Sequence, residues 1–184
     1  LKSDCVGTTS GTFENVANST GTSTESFKTN IAIYPYEEDL VCTSVTEDGA
    51  VVSYQVEGVT VPSVQTYVAG SFPEDAFLMA AITDGLDEHT LNFKNLCGAL
   101  KLQLKGAMRV KNIMVQGHES EKLSGEATVT VYQDGTAPVL DMSSDASLTA
   151  TLDCGEGIQL IEDAATEFII SIPPTQFAKG FTVS

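Results

Sequence analysis

Tryptophan is absent from this 184-residue chain, and arginine occurs only once, at Arg109. Lysine and arginine together number 9 against 25 aspartate and glutamate residues, which gives a net charge of −16. So acidic a chain is repelled by nucleic-acid phosphates and by anionic lipid headgroups. The composition therefore argues against nucleic acid as a partner, whereas the apolar fraction of 42% is high enough for a packed core.

Long apolar runs are missing too. The longest, near Ala76–Ile82, is far shorter than the ~20 residues that a helix needs to span a bilayer. The opening residues, Leu1–Asp4, contain no signal peptide and resemble the interior of a mature protein. We expect that a signal sequence or lipid anchor preceded them, and that any membrane attachment depends on that anchor.

The four cysteines, Cys5, Cys42, Cys97 and Cys154, show no CxxC spacing. This argues against a zinc site and against a thioredoxin-type redox motif. Their even number permits two disulfides in an oxidising compartment. Because Cys97 and Cys154 lie in strand-like sequence and cysteine is often buried, we predict that both are buried free thiols, not bonded to each other. The pairing of Cys5 and Cys42 is left open.

Catalytic motifs are also lacking, since no GxSxG, HExxH or Walker sequence occurs. His89 and His118 each lie beside a glutamate in turn-like sequence, where two solvated histidines are favoured over a metal or proton-transfer site. Neither histidine has a partner motif that would activate a nucleophile. The prediction is a protein that is not an enzyme and binds no cofactor.

Carboxylates cluster at 37–39, at 74–75 and at Asp84, Asp87 and Glu88. A glycoside hydrolase needs two carboxyl groups placed across a sugar-binding cleft, and the chain has no tryptophan to build an aromatic platform there. Calcium binds converging oxygen ligands, so residues 84–88 are the best candidate for a metal site. A solvated acidic turn is favoured there, and no metal site is predicted.

Short runs rich in Thr, Val, Ile and Leu, separated by turn residues, predict an all-β fold. No apolar pattern of helical period persists, and only Glu119–Leu123 could form one helical turn. Leu100, Leu102 and Leu104 alternate with polar residues, which predicts an inward and an outward face. The predicted strands are 29–36, 50–56, 63–68, 77–83, 91–93, 99–104, 110–116, 127–132, 147–152, 168–172 and 181–183.

The spacing of these strands predicts two antiparallel β-sandwiches. An acidic turn near residues 84–89 suggests a boundary, with domains at 1–86 and 87–184. The first 26 or so residues are rich in Thr, Ser, Gly and Asn, and are expected to be mainly loop.

Several segments together carry a resemblance: LNFKNLCGALKLQLKG at 91–106, VKNIMVQG at 110–117, LSGEATVTV at 123–131, TATLDCG at 149–155 and FIISIPPTQFAKGFTV at 168–183. IYPY at 33–36 and PSVQTY at 62–67 add to it. In this order they resemble the fimbrillin-like surface lipoproteins of Gram-negative anaerobes. The match extends from about Ile31 to Ser184, and its strength lies in order and spacing, not in one motif.

The resemblance implies two transthyretin-like sandwiches, export as a lipoprotein to the cell surface or outer membrane, and a role as a fimbrial (pilus) subunit, pilus tip or adhesin. Its partners would be other fimbrial subunits or host and bacterial surface ligands. In this family a protease cuts after Arg or Lys, and a strand from the next subunit fills the resulting groove. Here the only arginine, Arg109, lies deep in the second domain, which leaves only Lys2 or a position before Leu1 for such a cut.

Two sets of residues are candidate sites. Phe181, Thr182 and Val183 read as a strand after a turn at Lys179-Gly180, with no returning strand behind them. The hypothesis is that the second sandwich is incomplete at its C-terminal end and that this edge accepts a strand from another subunit. Tyr34 and Tyr36 stand two residues apart and are expected on one strand face. The alternative function is a carbohydrate-binding module of a surface lipoprotein, in which these two rings would form the platform that contacts the sugar.

Overall fold

The structure is a computed structural model that describes residues 2–3, 13–14, 29–83 and 90–184. Within these ranges the only helical element is a 3-10 turn at Glu74–Ala76, so the all-β prediction is confirmed. The strands are β1 (Lys2–Ser3), β2 (Phe13–Glu14), β3 (Asn30–Tyr34), β4 (Val41–Glu47), β5 (Ala50–Val61), β6 (Val64–Thr66), β7 (Met79–Thr83), β8 (Lys94–Asn95), β9 (Gly98–Leu104), β10 (Arg109–Gly117), β11 (Gly125–Tyr132), β12 (Val139–Met142), β13 (Thr149–Gln159), β14 (Thr166–Ile172) and β15 (Phe181–Val183).

A first core lies between two sheets, of strand order β12-β11-β5-β4 and β3-β7-β8. Residues from one face of β5 and of β11, which are neighbours in the first of these sheets, pack against residues of β7 in the second. Asp48 and Gly49 join β4 to β5 with φ of 48° and 83°, the left-handed pair that a two-residue hairpin turn needs. The buried residues of this core are Val56, Val59, Val61, Leu78, Ala80, Leu96, Cys97, Ala127, Val129, Val131 and Leu140.

A second core lies between the sheet β15-β10-β13-β6 and the two-stranded sheet β14-β9. Its largest fully buried side chain is Phe168, whose ring centroid lies 5.2 Å from that of Tyr67. The predicted facing of β9 is confirmed, because Leu100, Leu102 and Leu104 pack on this core while the residues between them are exposed. The buried members are Ile113, Val115, Leu123, Ala150, Leu152, Cys154, Leu160, Phe168 and Ile170.

Strands from both halves of the sequence share these sheets. β5 pairs antiparallel with β11, from Val61 opposite Gly125 to Ser53 opposite Tyr132. β6 pairs with β13 in parallel, an exception to the antiparallel pattern. The boundary predicted between residues 86 and 87 therefore separates strands that are hydrogen-bonded to each other.

Gln65 joins the two sheets of the second core. Its side chain is only 2% exposed. The amide Nε2 donates to the Ser171 carbonyl at 2.7 Å, and Oε1 accepts the Ser171 backbone N–H at 2.8 Å. β14 pairs with β9 along one edge only. On the opposite edge of β14, the Gln65 amide makes the two backbone hydrogen bonds that a neighbouring strand would otherwise make.

The structure departs from the predicted strands at several places. Residues 91–93 are not a strand; the pairing instead occurs at β8, opposite Met79 and Ala80. β4 and β12 were not predicted: β4 is almost wholly exposed, so it lacks an alternating apolar signal, and β12 has only four residues. Glu119–Leu123 forms no helical turn.

Candidate functional site

The predicted strand Phe181–Val183 is present as β15, the outermost strand of its sheet. Its partner is not a returning strand but β10, with Phe181 opposite Gly117 and Val183 opposite Val115. The turn before it is closed by the Gly180 N–H, which donates to the Phe177 carbonyl at 3.1 Å. All three residues of β15 are exposed. That this edge accepts another strand stays a prediction.

The loop that follows β10 holds β15 in place. His118 Nδ1 lies 3.0 Å from the Lys179 carbonyl oxygen, and Nε2 lies 2.7 Å from the Thr182 hydroxyl. Because a carbonyl can only accept, the Nδ1 atom carries the proton. Glu119 and Lys179 form an ion pair of 2.5 Å beside it. His118 is exposed in a loop, as predicted, and in addition its two ring nitrogens hold β15 in place.

Backbone alternation determines which groups β15 offers to a neighbour. Ser184 and Met114 exchange both hydrogen bonds, at 2.9 and 3.0 Å. In an antiparallel ladder the next residue points its N–H and C=O the other way. The backbone groups of Val183 therefore face outward, away from β10.

Tyr34 and Tyr36 are both exposed, at 41% and 75%. Tyr34 is the last residue of β3, opposite Met79, whereas Tyr36 lies beyond the end of the strand. The prediction that the two rings share one strand face requires both residues to lie in the strand, and only Tyr34 does. The structure exposes both rings to solvent without placing Tyr36 in the sheet.

The cysteines that the structure describes are free. Cys97 and Cys154 are buried and lie in different cores, which confirms that they are not bonded to each other. Burial raises the pKa of the Cys97 thiol, a rise opposed by the nearby Ser171 hydroxyl and the Leu78 backbone. Burial, helped by the charge of Asp153, also raises the pKa of the Cys154 thiol. Cys42 is exposed, and Cys5 lies outside the described residues.

Glu37, one of the clustered acidic residues, accepts the Thr60 backbone N–H with both carboxylate oxygens, at 3.0 and 3.1 Å. In residues 29–83 and 90–184 no three His, Cys, Asp or Glu side chains are placed to hold a metal ion. The calcium candidate at 84–88 and His89 lie outside the described residues. The same part of the chain contains no helix long and apolar enough to cross a membrane.

A cleft of about 220 Å³ opens at the edge of the first core. One wall comes from β7 and β8 and the other from β11 and the turn that follows it. Lys94 spans the opening, and its Nζ donates to the Gly135 carbonyl at 2.6 Å. The sequence analysis did not single out Lys94, because a lysine in a short strand is indistinguishable from any solvated surface cation.

Comparison with known proteins identifies no relative: no family model, no curated protein and no solved structure matches the chain.

Proposed function

We propose that this protein is a structural and adhesive cell-surface protein, similar to a fimbrial (pilus) subunit, without catalytic activity. Its two cores would correspond to two transthyretin-like sandwiches, and it would reach the outer membrane by a lipoprotein route. The fimbrillin-like motifs of the sequence support this, together with the absence of a catalytic motif. The observation that carries the proposal is β15, a short and exposed strand with an outward-facing backbone edge.

An exposed outermost strand is a template on which another strand can pair. In strand addition, main-chain hydrogen bonds supply affinity and alternate side chains supply specificity. The outward N–H and C=O of Val183 are available to such a strand, as are those of Phe181 two residues earlier, whereas the backbone groups of Thr182 face β10. We therefore assign the subunit contact to the outer edge of β15.

The test is a matched pair of variants, Val183→Pro and Val183→Ala. Proline removes the outward N–H but leaves the ladder to β10, because the N–H of Val183 does not face that strand. Alanine shortens the side chain and keeps the N–H. We expect concentration-dependent association of the unmodified chain, measured by light scattering, to be retained in Val183→Ala and lost in Val183→Pro.

Two results would contradict strand addition at β15. One is a chain that stays monomeric at every concentration reached, and the other is equal association of the two variants. Circular dichroism melting of each variant separates loss of association from loss of folding.

The solvent exposure of Tyr34 and Tyr36 favours one second candidate, a carbohydrate-binding module. Exposed tyrosine rings offer an apolar face and a polar hydroxyl to a sugar. Binding on a glycan array that disappears in Tyr36→Ala and persists in Phe72→Ala, an exposed aromatic elsewhere, would support it. The carbohydrate-binding function would be rejected if the unmodified chain bound no glycan, or if both variants lost glycan binding to the same extent.

A further inference from the structure

The edge cleft of the first core combines an apolar floor with a polar rim. Ala80 and Val131 are buried and form part of its floor. Asn92, Lys94 and Tyr132 bring an amide, an ammonium and a phenol to its lining. Ligand sites have this composition, since apolar walls supply contact and a few polar groups fix orientation.

The volume limits what can enter. Pockets for drug-sized ligands enclose roughly 300–1,000 Å³, and this cleft has about 220 Å³. It therefore suits one small ring, not an extended molecule. It is lined by residues of both sheets, so a ring that enters lies between them.

Among the described residues that line the cleft, only Lys94 is charged, a cation in a strongly acidic chain. Across the opening, an Asp134 carboxylate oxygen accepts the Thr136 backbone N–H at 2.9 Å. The Thr136 hydrogen bonds and, to a smaller extent, the charge of Lys94 lower the pKa of the Asp134 carboxyl. Lys94 forms no ion pair with any described residue. Its ammonium has three donors, of which the Gly135 carbonyl takes one.

We propose that this cleft binds a single sugar ring that carries a carboxylate, such as a terminal uronic acid. The carboxylate pairs with Lys94, ring hydroxyls meet Asn92 and Tyr132, and the C–H face of the ring lies on Ala80 and Val131. The biological meaning of this site rests on the adhesive role proposed above, because it supplies a ligand class for adhesion. It does not depend on β15, so strand addition and sugar binding can fail separately.

The experiment is a titration of the ¹⁵N-labelled chain, followed by heteronuclear NMR, with three probes: methyl β-D-glucuronide, methyl β-D-glucoside and acetate. We expect saturable shifts with the glucuronide, confined to the residues around Lys94 and Tyr132. The glucoside lacks the charge and so loses a hydrogen bond to a charged group, while acetate lacks the ring and so loses the apolar contact with the floor of the cleft. Each should therefore bind at least about tenfold more weakly than the glucuronide.

Variants then assign the site. Lys94→Met keeps the alkyl stem over the cleft but removes the charge, and Asn92→Ala removes one rim amide. We expect each to weaken glucuronide binding, by about tenfold for Lys94→Met. Lys111→Met, which removes an exposed cation of β10, should leave it unchanged.

Three results would overturn the proposal: no saturable shift with the glucuronide, binding of acetate as tight as that of the glucuronide, or equal loss in Lys94→Met and Lys111→Met. A thermal melt of each variant shows whether it is folded. Should Lys94→Met not fold, Asn92→Ala decides alone, and unchanged affinity in that variant would reject the site.

Discussion

Gln65 provides the sharpest test of how the second core is held together. Replacing it with Met keeps a side chain of similar length and removes the amide. The Ser171 N–H and C=O then lose the partners that now lie at 2.8 and 2.7 Å. Ser171 is fully buried, so water does not replace them without opening the sheet.

The expected cost follows from desolvation. A buried polar group left without a partner costs about 1–3 kcal/mol, and two such groups give about 2–6 kcal/mol for Gln65→Met. In a chain of this size a loss of 1 kcal/mol lowers the melting temperature by roughly 2–4 °C. Urea unfolding should therefore show a large fall in midpoint with an unchanged slope, because the exposed area is unchanged.

The control is Gln55→Met, an exposed glutamine on β5. Surface substitutions away from special features usually change stability within about 0.5 kcal/mol. If Gln65→Met and Gln55→Met melted within about 0.5 kcal/mol of each other, the bridge between the sheets would contribute nothing measurable and the reasoning would be refuted.

Two further predictions concern the second core and the thiols. Phe168→Ala should cost about 3–5 kcal/mol, and Leu102→Ala, which is only half-buried, should cost less, about 2 kcal/mol at the low end of the range for Leu→Ala; a Leu102→Ala cost within about 0.5 kcal/mol of zero in denaturant melts would show that β9 faces the other way. Cys97 and Cys154 should react slowly with a thiol reagent when folded and fast in denaturant, since both are buried. Because burial raises their pKa values above those of the unfolded chain, their contribution to stability is complete below the unfolded thiol pKa and is lost as pH rises through the folded pKa. Urea midpoints should therefore fall above about pH 9, and less so in Cys97→Ala; a midpoint that does not change between pH 7 and 10 would argue against this.

Most strands could be predicted from the sequence because their local pattern of apolar and polar residues is unambiguous. Leu100, Leu102 and Leu104 alternate with polar residues, and this signal depends on one strand alone. β4 lacks it, since a strand at the edge of a sheet with both faces largely exposed has no apolar period to read. Local pattern therefore identifies strands that cover a core and misses those that only extend a sheet.

Pairing between distant strands was beyond the sequence. Nothing in Ala50–Val61 specifies Gly125–Tyr132 as its neighbour, because many apolar β-strands could satisfy the same face. The role of Gln65 was equally hidden, since a glutamine in a short strand is usually solvated. Lys94 and His118 likewise acquire their roles only from groups that the fold brings to them.

The pairing of β5 with β11 has a consequence for how the chain acquires its structure. Contacts between residues far apart in sequence form only after long loops have closed, which costs conformational entropy. Folding therefore slows as the share of such contacts increases. Here Gln65 and Ser171 meet across 106 positions, and the first core needs strands on both sides of residue 90. We expect neither core to form until most of the chain is available, and folding to proceed in milliseconds to seconds, the range of β-rich domains. Until then the apolar strands of the N-terminal half stay exposed to solvent. The export proposed above would therefore act on a chain that remains unfolded for longer.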